Sequence, residues 1–121
     1  IYGNGKQVRD VLHVFDLVDL YEKVITNIEK CSGKIYNVGG GSKNTLSLIE
    51  LIDIIEYKLD KSLKYDYDSW RPGDQKIYIS DISKIENEIN WHPKISPNDG
   101  VNLMIKWILE NKNTFSQLEL I

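Results

Sequence analysis

Apolar residues along this chain switch between two periods, and each switch marks the edge of an element. Over 7–14 they alternate weakly, at Val8, Val11, Leu12 and Val14, behind a turn at Gly3-Asn4-Gly5-Lys6, which predicts one strand or two short ones. From Leu17 the spacing becomes helical, through Leu20, Tyr21, Val24 and Ile28, so a helix is expected over 16–29 with Asp16 as its N-cap and Asp19 in its first turn. Cys31-Ser32-Gly33 ends it, and a short β-type run over 34–38 stops at Gly39-Gly40-Gly41. Ser47 and Glu50 have the spacing at which each side chain bonds the other residue's backbone N–H. The helix they open, over 46–59, is apolar nearly all round (Leu48, Ile49, Leu51, Ile52, Ile54, Ile55) and needs cover on more than one side.

The second half is more broken. A short strand is expected over 64–68, a turn at Trp70-Arg71-Pro72-Gly73-Asp74, and a strand over 77–79. Asp81 is expected to cap a short helix carrying Ile82, Ile85 and Ile89 on one face, which Trp91-His92-Pro93 stops because the residue before a proline avoids helical angles. Ser96-Pro97-Asn98-Asp99 combines an N-cap, a proline at the first helical position and an acid in the first turn, and Val101, Met104, Ile105 and Ile108 give the last helix its buried stripe. Residues 111–121 read as a frayed tail. Strands and helices alternate, as in α/β or α+β folds, without internal repeats.

Composition narrows the function classes. A formal charge of −3, with Lys and Arg scattered rather than blocked, excludes the basic footprint of a nucleic-acid binder. No apolar run approaches the roughly 20 residues a membrane-crossing helix needs, so no membrane partner is expected. Cys31 is the single cysteine, so no internal disulfide can form and a reducing cytoplasm is the expected compartment. A chain that opens on Ile1-Tyr2-Gly3 rather than Met is expected to begin inside a larger protein.

Several segments carry candidate chemistry. Gly39-Gly40-Gly41 lies between a strand and a helix, but a dinucleotide fingerprint would place its third glycine at Asn44, so a tight strand-to-helix turn is the expected role. Tyr57 and Lys61 have the Y-x-x-x-K spacing of a catalytic pair, yet at a fraying helix end and without a fingerprint upstream they are not expected to be catalytic. Arg9 opens a strand after a glycine turn, where a guanidinium can fork two phosphate oxygens or form a surface ion pair. Pro72-Gly73 is type II turn chemistry, which fixes Arg71 and Asp74 three residues apart. Such a turn suits a nucleotide diphosphate, with Arg71 on phosphate, Asp74 on ribose hydroxyls and Trp70 or Tyr78 against base or sugar; a purely structural turn is the other reading. His13 and His92 lack the companions of a metal site; His13 is expected in or near the core with a hydrogen bond, and His92 in a loop.

Together these segments resemble one family. The run from Gly5 to Leu17 is similar to the R-D-x-x-H-V-x-D-L segment of the NAD-dependent epimerase/dehydratase family, the extended short-chain dehydrogenases. Tyr36-Asn37-Val38-Gly39 resembles its Y-N-[IV]-G strand end, Arg71-Pro72-Gly73-Asp74 its R-x-G-D, the stretch from Tyr78 to Lys84 its D-x-S-K, and Trp91-His92-Pro93 its W-x-P. Phe15 departs from the pattern, where relatives often carry Asp. The resemblance implies an α/β fold, the C-terminal fragment of such an enzyme, with about four helices and several short strands. Residues 1–112 would be the nucleotide-sugar-binding portion of a sugar-nucleotide epimerase, and 113–121 a tail. Arg9 and Arg71 would bind the diphosphate of a nucleotide-diphosphate sugar, Asp74 its ribose, and Tyr78 would sit close to the nucleotide. NAD, the fingerprint that binds it and the catalytic Tyr–Lys pair would belong to an N-terminal Rossmann half, this chain's expected partner. A homo-oligomer is expected, and the isolated chain should not turn over. The rival readings are a 4-epimerase or dehydratase of the same family and a non-catalytic nucleotide-sugar binding module.

Overall fold

The computed structural model describes residues 1–116. The elements run β1 (Val8–Asp10), α1 (Val14–Thr26), α2 (Ile28–Cys31), β2 (Thr45–Ser47), α3 (Leu48–Leu59), β3 (Ile77–Tyr78), α4 (Ser83–Ile89), α5 (Pro97–Glu110) and α6 (Lys112–Ser116). The α/β class stands, and α1, α3, α4 and α5 are the four expected helices, joined by the single-turn α2 and the short α6. Residues 112–116 of the expected tail are thus helical, and 117–121 lie outside the described residues.

β1 is the middle strand of a three-stranded sheet in the order β2-β1-β3. It runs antiparallel to β2, with Arg9 opposite Leu46, and parallel to β3, with Arg9 in register with Tyr78. Of the two readings of 7–14, one strand or two short ones, the single strand holds. Val11 still donates its N–H to the Asn44 carbonyl (2.8 Å), but the chain then turns into α1.

The start of α1 corrects one expectation. Its N-cap is His13, whose Nδ1 accepts from the Phe15 N–H at 3.2 Å. Asp16 lies inside the first turn and is buried, and its carboxylate reaches across the fold. Oδ1 accepts from the Lys94 N–H at 3.1 Å and Oδ2 from the Ile95 N–H at 3.0 Å, so Asp16 ties α1 to the segment that enters α5. The other caps follow the expected chemistry. Ser47 and Glu50 bond reciprocally at the start of α3, and Ser96 caps α5 with Pro97 at its first position. Ile82 precedes α4 as its N-cap residue, but the Asp81 carboxylate accepts the Ser83 N–H at 3.0 Å, one residue earlier than a regular cap.

The core lies between α1 and α4. Leu20, Cys31, Ile82, Ile85, Ile89 and Trp91 form a buried cluster, with Leu12, Leu17, Val24 and Tyr36 packed around it. Trp91 is 0% exposed, which explains a tryptophan at the stop of α4: it plugs the cluster where the chain leaves the helix. α3 packs against α5 and β2 and holds Ile52 buried. No helix of the described residues is long and apolar enough to cross a membrane.

Two expected strands lack partners. Over 64–68 only an isolated bridge between Tyr2 and Asp68 forms, and over 34–38 the backbone joins no sheet among the described residues. That second segment is instead tied to α4 by side chains. Lys34 and Tyr36 both bond Glu88 (2.8 and 2.5 Å), and Lys84 donates to the Ile35 carbonyl at 2.8 Å. The Lys34 ammonium, with the Tyr36 hydroxyl, holds the Glu88 carboxyl below its ordinary value of 4.5. A carboxylate lowered on folding adds stability above its unfolded pKa and loses it as pH falls through the folded one. The stability advantage of the wild type over Glu88→Gln should therefore be full at neutral pH and vanish in acid, below the folded pKa. Urea titrations of both proteins across that range check it; an advantage independent of pH goes against it.

Candidate functional site: a cationic face at the ends of β1 and β3

The parallel pairing of β1 with β3 organises this site. It puts Arg9 and Tyr78 at matching positions, hence on the same face of the sheet, and brings the loop before β3 beside β1. In that loop Asp74 donates its N–H to the Arg71 carbonyl at 3.1 Å, and Gly73 sits at φ +80°, the left-handed geometry that a type II turn requires at its third residue. The turn aims Arg71 and Asp74 to one side. Asp74 Oδ1 lies 3.6 Å from Arg9 Nη2, and Oδ2 lies 3.7 Å from Arg71 Nη2. Two guanidinium groups separated by 62 positions thus flank one carboxylate, which leaves one formal positive charge in excess.

Both ion pairs are longer than a hydrogen bond. Arg9 spends one donor on the Val8 carbonyl (2.8 Å), and the Arg71 side chain makes no hydrogen bond among the described residues. Most of the ten guanidinium N–H donors therefore remain for an oxygen-rich anion, since each Arg carries five. Asp74 is the most covered of the three, at 17% exposed against 38% for Arg9 and 63% for Arg71. Tyr78 is exposed beside them. The structure thus brings Arg9, Arg71 and Asp74 together, with Tyr78 at the paired strand position. It does so on an open face, where Arg71 and Tyr78 are exposed; two surface depressions of about 580 and 500 Å³ lie elsewhere, one at Glu56 and 62–66, the other between α3 and α5.

One neighbour of the site carries no signal in the sequence. The Tyr2 ring lies under Arg71, with the guanidinium carbon 4.6 Å from its centroid. Trp70 packs on the same segment, where a side chain in place of Gly3 would collide with the indole.

The other candidate motifs resolve as structure. Gly40 abuts the Val11 carbonyl, Gly39 abuts Asp10 and Ser80, and the Asp10 carboxylate accepts the Gly41 N–H at 3.1 Å. A Cβ at 39 or 40 would collide with the chain's own atoms, so these glycines allow a close turn, but it is not the expected strand-to-helix turn: no strand runs directly into it and it leads into β2. Tyr57 lies exposed on α3, and α3 ends at Leu59 with Asp60 in left-handed geometry, so Lys61 is past the helix and cannot stack one turn above Tyr57. Among the described residues no group of three His, Cys, Asp or Glu is placed to hold a metal.

Comparison with known proteins agrees with this architecture. Residues 1–104 match the family model described as GDP-mannose 4,6 dehydratase. The CDP-paratose 2-epimerase of Salmonella typhi is 43% identical over 107 residues, 88% of this chain and 32% of the relative. The UDP-glucuronate 4-epimerase of Thermodesulfobacterium geofontis is 33% identical over 92% of this chain and 33% of its own length. The solved UDP-glucuronic acid 4-epimerase of Bacillus cereus, in complex with UDP-glucuronic acid and NAD, superposes with a TM-score of 0.81 at 26% identity, covering 91% of this chain and 34% of that one. The chain spans about a third of the length of the relatives it matches. With the family model covering most of its residues and the fold shared with such enzymes, the chain belongs to the GDP-mannose 4,6 dehydratase family of NAD-dependent epimerases and dehydratases.

Proposed function

We propose that this chain is the nucleotide-sugar-gripping third of an NAD-dependent sugar-nucleotide epimerase, and that the whole enzyme inverts C2 of a CDP-linked sugar. The observation that carries the reading is the pair of guanidinium groups on one carboxylate at the β1–β3 face, with most of their donors unspent. Arg9 and Arg71 take the diphosphate, each able to fork two oxygens, and Asp74 accepts from the ribose hydroxyls once the diphosphate has drawn the arginines off it. Tyr78 lines the nucleotide. Holding the substrate by its diphosphate supplies positioning, which can account for much of the barrier lowering at a distant sugar carbon. The higher identity to the CDP-paratose 2-epimerase than to the UDP-glucuronate 4-epimerase favours the 2-epimerase over a 4-epimerase or dehydratase.

NAD does not fit the residues described. A dinucleotide cradle needs glycines whose backbone faces an open space, and Gly39 and Gly40 face Asp10, Ser80 and Val11 instead. NAD is therefore assigned to the remainder of the enzyme. The apolar surface of the chain supports such a remainder. Val14, Val18, Tyr21 and Ile25 form an exposed stripe on α1, and Ile35, 85% exposed, projects from the unpaired 34–38 segment. The all-round apolar pattern of α3 calls for cover as well, but Leu48, Ile49, Leu51, Ile52, Ile54 and Ile55 are all at least half-buried within the chain, where α3 packs on α5 and β2.

The test supplies CDP-tyvelose and NAD to the full-length polypeptide and to the 121-residue chain, with products followed by NMR. Interconversion of the C2 epimers by the full-length protein, and none by the isolated chain, is expected. Turnover by the isolated chain overturns the assignment of catalysis to the remainder, and brings Tyr57 and Lys61 back as candidates. Full-length protein that acts at C4 instead establishes the 4-epimerase reading.

A further inference from the structure

We propose that Tyr2 is a positioning residue for Arg71: its ring is a shelf that holds the guanidinium flat and leaves the edge N–H donors for a ligand. The inference rests on the nucleotide-sugar reading, which gives the site its diphosphate. Arg71 needs such a support. Its side chain is 63% exposed, its ion pair with Asp74 is 3.7 Å long, and it makes no hydrogen bond among the described residues, so a long flexible side chain would otherwise sample many rotamers. The Tyr2 ring lies 4.6 Å from the guanidinium carbon, within the range where the negative face of an aromatic ring attracts a cation.

The shelf itself is anchored to the loop it serves. Gly3 donates its N–H to the Asp68 carbonyl at 2.8 Å, and Asp68 donates to the Ile1 carbonyl at 2.7 Å, so the backbone on both sides of Tyr2 is laced to the strand-like stretch just before Arg71. Gly3, at φ +75°, lets the Trp70 indole close over the same segment. A guanidinium that rests on the ring by its face keeps its edge for phosphate, so the two contacts need not compete. The Tyr2 hydroxyl makes no hydrogen bond among the described residues, which makes the ring, and not the hydroxyl, the working part.

Isothermal titration of CDP into the full-length polypeptide and its variants tests the proposal. Tyr2→Ala is expected to weaken binding about three- to tenfold, from the lost cation–ring contact and the lost preorganisation. Tyr2→Phe restores wild-type affinity, and Tyr2→Ala adds nothing further in an Arg71→Ala background. Equal weakening in both backgrounds, or none in either, overturns the inference. A second readout needs no ligand: NMR relaxation at the Arg71 Nε–H should show an ordered side chain in wild type and Tyr2→Phe, and a mobile one in Tyr2→Ala. Equal mobility in all three overturns the inference, whereas ordered Arg71 in a wild type that binds no CDP upholds the shelf and overturns the nucleotide reading.

Discussion

Asp16→Ala is expected to destabilise the fold by about 3 kcal/mol, more than any other single carboxylate change. Each oxygen of Asp16 accepts a different backbone N–H, from Lys94 at 3.1 Å and Ile95 at 3.0 Å, and the residue is only 3% exposed. A hydrogen bond to a charged group contributes about 1.5–3 kcal/mol, and removing the acceptor leaves two part-buried backbone donors without their partner. The effect should spread beyond the two bonds. Lys94 and Ile95 lead directly into Ser96, the N-cap of α5, and the Ile95 carbonyl accepts from buried Asn44 at 3.2 Å. Freeing that segment loosens the entry of α5 and its link to the glycine loop together. Asp16→Asn keeps one acceptor oxygen and should cost less than Asp16→Ala. Urea denaturation measures the loss, and hydrogen exchange at the Lys94 and Ile95 amides should accelerate in step. A loss under about 1 kcal/mol, with those amides still protected, would mean that the anchor is elsewhere.

How well these features read from sequence depended on how local their causes are. The Ser47–Glu50 reciprocal cap, the Ser96-Pro97 start and the Arg71-Pro72-Gly73-Asp74 turn each involve groups three residues apart, and all three form as the spacing implies. Asp16 did not read correctly, because an acid just before a helical stripe resembles a cap, while its partners lie 78 and 79 positions away. Residues 34–38 have the composition of a strand, but a strand exists only through pairing, and no described segment pairs with them. The site divides in the same way. Arg71 and Asp74 were legible from turn chemistry, whereas Arg9 joined them only through family resemblance, because its proximity comes from the parallel register of β1 with β3. Tyr2 left no trace, since an aromatic ring under a distant guanidinium follows no period and belongs to no short motif.

That long-range meeting of Arg9 and Arg71 gives the largest expected effect on binding. Arg71→Ala and Arg9→Ala should each weaken the substrate nucleotide about ten- to a hundredfold in the full-length enzyme, which is what losing a hydrogen bond to a charged group amounts to. The double variant should lose more than either single one, and by less than the product of the two, because the two guanidinium groups flank one carboxylate and, in the proposed site, would share one diphosphate. Arg71→Lys should recover only part of the loss, since an ammonium supplies charge but cannot fork two oxygens in a plane. The present ion pairs to Asp74, at 3.6 and 3.7 Å, are too long to offset much of that gain, so entry of a diphosphate costs little in displaced contacts. Titration of each variant with the nucleotide at fixed ionic strength reads these differences, and raising the salt should shrink them, because the face is open to water. Unchanged affinity in both alanine variants would remove the diphosphate from this face and leave the Arg9–Asp74–Arg71 arrangement as a clasp that holds the loop against β1.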